Sequence, residues 1–243
     1  MLRLELLVVF AITLGLSAAR SLLSIIESLL APEPLSEQSV ALNVTASQAD
    51  LIDLAFQLLR VLQLFAWGGL GAYLLVRGGM RLREVGLGRR LDRRDWAYGL
   101  GLAALIGLPG LAFYLVTRAL GVNLTVLPSA LDDTWWRAPV LVLAAAANAW
   151  AEEVLMVGFL LTRLGQLRVG RWGALAGSAV LRGAYHLYQG FGGFAGNVIM
   201  GLVFGYLWQR TNRLWPLVIA HTVIDVVAFV GYALLRGKVG WLP

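Results

Sequence analysis

The chain has 243 residues, of which 59% are hydrophobic and 14% charged, with a formal net charge of +6. With a mean hydropathy of +0.74, apolar stretches recur from end to end, which excludes an ordinary soluble domain and points to an integral membrane protein. Cysteine is absent, which removes disulfides, thiolate metal sites and cysteine nucleophiles.

Seven apolar segments are expected as spans, at roughly 4–29, 52–76, 96–117, 138–162, 172–188, 193–209 and 214–235. The predicted fold class is all-α: one polytopic transmembrane helical bundle of 7–8 spans over residues 1–243, with no soluble domain. The opening "MLRLELLVVFAITLGLSAARS" has the outline of a signal peptide, but the apolar run resumes after Arg20, so a retained first helix is expected. The fifth and sixth segments are short and glycine-rich, which suits tilted, broken or shielded helices.

The loops set an orientation. Residues 30–51 carry Glu33, Glu37 and Asp50 and no base, whereas residues 77–95 carry Arg77, Arg81, Arg83, Arg89, Arg90, Arg93 and Arg94. The second loop is therefore expected in the cytoplasm and the first outside. Arg163, Arg168 and Arg171, then Arg210 and Arg213, mark further cytoplasmic turns. Seven crossings would leave Arg236 and Lys238 outside, against the bias; an eighth crossing or a re-entrant segment removes that conflict. Because the arginines sit between apolar segments, they read as topogenic charge beside lipid headgroups, with no nucleic-acid partner expected.

Three polar clusters interrupt the spans. In "NAWAEE", Asn148 and Glu152 share a helix face while Glu153 projects about 100° away. In "LRGAYHLYQGFGG", Arg182 and His186 share a face; Tyr185, Tyr188 and Phe191 read as interface aromatics. In "PLVIAHTVIDVVAF", His221 and Asp225 are four apart, a spacing in which the carboxylate can orient the imidazole. Each group is separately unfavourable in hydrocarbon, so one shared site is expected rather than three packing accidents. Glutamate and histidine can activate water, with or without a metal. No HExxH pattern is present, and Ser178 lacks a GxSxG elbow.

The order Glu-Glu, His, then His-x-x-x-Asp on successive spans resembles the CPBP intramembrane protease family, which includes the CAAX prenyl endopeptidases and bacterial bacteriocin self-immunity or processing proteins. The resemblance covers about 138–235. The family's EExxxR appears as Glu152-Glu153-Val154-Leu155-Met156-Val157, with Val157 where arginine is usual. Its FxxxH appears as Arg182-Gly183-Ala184-Tyr185-His186, with Arg182 in place of phenylalanine. His221 and Asp225 match its HxxxN/D. One motif loses an arginine and the next gains one, so Arg182 is expected to pair with Glu153.

The resemblance implies an intramembrane endopeptidase acting on a membrane-associated protein or peptide. Glu152 is then the general base, aided by His186, with His221 and Asp225 opposite; Glu153, Arg182 and Asn148 support them. In a second account of the family the catalytic four, Glu152, His186, His221 and Asp225, hold a zinc ion; the sequence leaves both accounts open. A multi-pass protein of a bacterial plasma membrane is expected. The alternative function is a non-enzymatic immunity or partner-binding protein of the same fold; a proton-coupled transporter is a third, without the inverted repeats it calls for. Counted at ~1.5 Å per residue, Glu152 and His221 fall toward the cytoplasmic half and His186 roughly 22 Å from the 171 turn, a mismatch in depth.

Overall fold

The computed structural model describes residues 1–88 and 90–238. Arg89, one of the seven arginines of the basic loop, lies outside the described residues.

The chain starts with α1 (Leu2–Ile12) and α2 (Leu14–Leu30), which meet at an angle of 51°. The break is at Thr13, whose hydroxyl turns back to the Val9 carbonyl at 2.7 Å. A 3-10 turn (Leu35–Glu37) and the short strand β1 (Ser39–Ala41) lead to α3 (Asp50–Arg77). A second 3-10 turn (Leu82–Val85) precedes α4 (Arg93–Ala119), and β2 (Thr125–Leu127) follows it. Then comes one long helical rod: α5 (Arg137–Glu152), a π-helical stretch (Glu153–Leu161) and α6 (Thr162–Gln166). Helix α7 (Arg171–Ala184), a 3-10 turn (Leu187–Gln189), α8 (Phe191–Thr211) and α9 (Trp215–Leu235) complete the chain.

The architecture is almost entirely helical and multi-spanning, but the expectation of seven or eight spans is corrected. Among the described residues five helices are long and apolar enough to cross a membrane, Asp50–Arg77, Arg93–Ala119, Arg137–Gln166, Phe191–Thr211 and Trp215–Leu235, or six if the bent α1–α2 pair is one span. The predicted fifth segment, 172–188, fails because its helix stops at Ala184 and the chain turns at Tyr185. At 14 residues α7 is ~21 Å long, short of the ~30 Å hydrocarbon layer. A second departure is the parallel pairing of β1 with β2, Val40 opposite Val126. Such three-residue strands carry no periodic signal.

Helices α3 and α5 run side by side in the same direction: Trp136 donates to Asp50 at 2.7 Å near their starts, Trp150 to the Phe65 carbonyl at 3.1 Å further along, and Arg163 to the Leu74 carbonyl at 2.7 Å near their ends. Outward, α3 and α4 present leucines such as Leu62 (63% exposed) and Leu108 (71% exposed), the surface a lipid-facing helix needs. Inward, the rod is the centre of the core: every residue from Val154 to Leu161 is buried.

The basic loop does more than carry charge. Trp208 donates to the Val85 carbonyl at 3.0 Å and Trp215 to that of Leu87 at 3.2 Å, so the loop covers the α8–α9 turn. Asp92 caps α4 in a reciprocal capping box with Asp95, and Arg213 reaches Asp95 at 2.9 Å and Asp92 at 3.5 Å. Arg163, expected in a cytoplasmic turn, is instead buried inside the rod, where it bonds Glu5 at 2.6 Å, the Leu74 carbonyl and Gln166 at 2.9 Å.

Candidate active site

The rod places the glutamates. Glu152 ends the α-helical part and Glu153 opens the π-helical part, where the wider winding begins. Both side chains are buried, Glu152 at 4% and Glu153 at 0% exposure. Two hydroxyls satisfy carbonyls of the π stretch: Ser178 donates to Met156 at 2.9 Å and Thr162 to Gly158 at 2.6 Å. Ser178 is thereby part of helix packing.

Each glutamate serves a different histidine. Glu152 accepts the Tyr185 hydroxyl on Oε2 at 2.8 Å, and its Oε1 lies 4.0 Å from His186 Nε2. Glu153 Oε1 accepts from Arg182 Nη2 at 2.6 Å and faces His221 Nδ1 at 2.8 Å. His186 holds its ring by Nδ1, 3.0 Å from the Arg182 carbonyl. The guanidinium of Arg182 also lies over the Phe204 ring, 5.7 Å from its centroid.

His221 departs from the sequence reading. Asp225 was expected to orient its ring, yet Asp225 Oδ2 is 3.6 Å from Nε2, beyond hydrogen-bond range. Glu153 takes that part at Nδ1. Asp225 Oδ2 instead accepts the Asn148 amide at 2.9 Å, so Asn148 ties α5 to α9 below the glutamates.

One cavity of about 1180 Å³ gathers these groups. Asn148, Glu152, Tyr185, His186, His221 and Asp225 line it. Glu153 and Arg182 are absent from its wall and stand behind it, as a buried ion pair. The mismatch in depth disappears because the rod runs to Gln166, beyond the expected boundary at 162. Glu152 is then ~21 Å from that end and His186 ~22 Å from the start of α7. His221, near the start of α9, is 5% exposed, and the α8–α9 turn before it is packed under the basic loop with Leu214 buried.

Tyr185 is the residue that sequence reasoning passed over. Read as an interface aromatic, it is 5% exposed and bonded to Glu152. Its ring also lies 4.7 Å from that of His186. The available signal was its place beside His186, just where α7 ends. Gly190, with φ of 109°, then reverses the chain into α8; its Cβ would collide with the Asn123 backbone, so only glycine suits both demands.

As arranged, these side chains form no ready-made metal cluster. Among the described residues no three His, Asp or Glu side chains converge on a common metal position. His221 Nδ1 is engaged by Glu153 and His186 Nδ1 by a carbonyl, which leaves the two remaining ring nitrogens facing different carboxylates.

Residues 134–227 match the family model described as Type II CAAX prenyl endopeptidase Rce1-like. This part of the chain is therefore similar to that family, and it contains Asn148, Glu152, Glu153, Arg182, Tyr185, His186, His221 and Asp225. No curated protein and no solved structure matches the chain.

Proposed function

We propose that the protein is an intramembrane endopeptidase that hydrolyses a peptide bond of a membrane-associated protein or peptide, with Glu152 as general base. The observation that carries this reading is the division of labour between adjacent glutamates. Glu152 faces the cavity with an oxygen toward His186, while Glu153 is occupied by Arg182 behind the wall. The working half is about 138–235 within a single membrane domain, which we place in a bacterial plasma membrane with the basic loop in the cytoplasm.

The 4.0 Å between Glu152 Oε1 and His186 Nε2 suits a water held by both. Glu152 takes a proton from that water as its oxygen attacks the scissile carbonyl, and returns the proton to the leaving amine. Tyr185 keeps the second carboxylate oxygen fixed during both transfers. His221, flanked by Glu153 and Asp225, is positioned as an imidazolium, with Nδ1–H on Glu153, to donate from Nε2 to the oxyanion from the opposite wall, and Asn148 bonds the Asp225 carboxylate. The matched family acts on prenylated CAAX sequences, which makes a lipidated peptide the first substrate to try.

The test is cleavage of a peptide library, including prenylated members, by the purified protein and by Glu152→Gln. General-base catalysis is worth about 10²–10⁴-fold, so the variant should lose activity by that factor. Equal cleavage by both proteins would remove Glu152 from the reaction. A folded wild type that cleaves nothing would favour the partner-binding alternative, for which the displaced motif arginine at Val157 is the argument.

A further inference from the structure

We propose that Asn148 is a further catalytic residue: its side-chain amide, held by Asp225, gives its second N–H to the oxyanion formed when water at Glu152 attacks the peptide carbonyl. The proposal rests on the peptidase reading and adds to it a neutral donor on α5, across the cavity from His221 on α9.

Chemistry fixes the orientation of the amide. Asn148 Nδ2 lies 2.9 Å from Asp225 Oδ2. An ionised carboxylate only accepts, so the NH2 end of the amide must face it. That end carries two protons, and the bond to Asp225 uses one. Among the described residues the other has no partner, although Asn148 is half-buried in a spanning helix and lines the cavity. An unused amide donor inside a span is unfavourable and marks a place for a ligand. Asp225 Oδ2 is also 3.6 Å from His221 Nε2. Asn148 and His221 therefore face one anionic atom from two helices. The rod and α9 run antiparallel there, since Asn148 meets Asp225 and Glu153 meets His221.

Asp225 cannot do this work itself, because an ionised carboxylate has no proton to give and repels an oxyanion. Its part is that of a positioning residue, which turns the amide. Place along the rod suits the reaction. Asn148 shares a face with Glu152 one turn earlier, ~6 Å along the axis. Reacting atoms approach to ~3 Å, and a donor stands ~3 Å from its acceptor, so a carbonyl attacked by water at Glu152 can turn its oxygen toward Asn148. In the step, the water oxygen bonds to the carbonyl carbon and a water proton passes to Glu152. The C=O electron pair moves onto the carbonyl oxygen, which accepts N–H bonds from Asn148 and His221. On collapse the pair returns to carbon, the C–N bond breaks and Glu152 gives the proton to the leaving nitrogen.

The test uses full-length protein in detergent and an S-farnesylated tetrapeptide of Cys, Val, Leu and Ala. Two uncleavable forms serve as binding probes: a phosphinate in place of the peptide bond after the cysteine, whose anionic oxygens mimic the tetrahedral oxyanion, and a plain CH2–CH2 link there. Wild type should bind the phosphinate at least about 10²-fold more tightly than the plain form. Asn148→Ala should lower kcat by about 10²–10³-fold with KM little changed. It should weaken the phosphinate by the same order and leave the plain form alone. Asn148→Ser covers loss of folding, since a hydroxyl can give its one proton to Asp225 and has none left for the cavity. It should keep the tie between α5 and α9, and with it the unfolding midpoint, yet lose kcat and phosphinate affinity like the alanine variant. Equal weakening of both probes, a serine variant that regains kcat together with stability, or wild type binding the two probes alike or not at all would each overturn the role of Asn148. Failure of the peptidase reading shows separately, as wild-type protein that cleaves nothing yet prefers the phosphinate through Asn148.

Discussion

Arg182 and Glu153 meet at 2.6 Å with side chains 1% and 0% exposed, and they join α7 to the rod behind the cavity. Two charges that would each be costly in the interior are held as one neutral unit, which also anchors His221. Removing one partner of a buried pair typically costs about 3–5 kcal/mol. Arg182→Ala should lower unfolding stability in detergent by that order. In a double-mutant cycle with Glu153→Gln, the pair should show a coupling of about 1–3 kcal/mol. Additive effects would mean the pair contributes nothing as a pair. Val157→Arg with Arg182→Phe should restore part of the loss, because the arginine then returns to the helix that carries Glu153.

Tyr185→Phe deletes one hydrogen bond to a carboxylate and keeps the ring. Bonds to charged groups are worth about 1.5–3 kcal/mol, so kcat should fall by about 10–100-fold while KM changes little. The pH profile of kcat should move as well, since Glu152 loses a donor. A uniform drop in thermal stability with kcat and its pH profile unchanged would reduce Tyr185 to packing.

The clasp formed by Asp92, Asp95 and Arg213 should respond to acid. The Asp95 backbone N–H bonded to Asp92 holds its carboxyl below the ordinary aspartate range, with the Arg213 charge acting the same way. A depressed folded value means the stabilisation is fully present above the unfolded value and is lost as pH falls through the folded one. Amide exchange in 92–98 should therefore stay slow from neutrality down to the aspartate range and accelerate only below it. Asp92→Asn should remove that acid-induced step; an identical step in the variant would assign it elsewhere.

Orientation is accessible to labelling because the background lacks cysteine. Glu84→Cys should resist impermeant reagents in intact cells and react after permeabilisation, whereas Gln48→Cys should react from outside. The reverse pattern would invert the protein and the side from which substrate reaches Glu152.

The polar side chains were legible in the sequence because each interrupts an apolar stretch, and the helical spacing of Arg182 and His186 announced a shared face. Three features were not legible, each for a physical reason. The π winding lies in "EVLMVGFLL", which after its glutamate is apolar throughout and carries no period to betray a change of turn. Segment 172–188 has the composition of a span, but its end is set by tertiary contacts: Tyr185 turns in to Glu152 and Tyr188 to Ser21. The parallel strands pair across loops far apart in the chain, so neither loop shows alternation by itself. Arg163 misled in the opposite sense, since a basic residue at a helix end reads as topogenic until its buried partners are seen.

The bond between Glu5 and Arg163 spans 158 residues of sequence. Synthesis delivers the acid first and the base much later, after α3 and α4 have already entered the bilayer. Until then nothing fastens α1 to the rod by charge, and Glu5 must remain solvated at the membrane edge. Closure is thus a late event of biogenesis, when the guanidinium reaches Glu5, Leu74 and Gln166 together and locks the earliest helix to the helix that bears the glutamates. Nascent chains halted before Arg163 should leave their amino-terminal helix open to quality-control proteases, while chains only slightly longer should shield it.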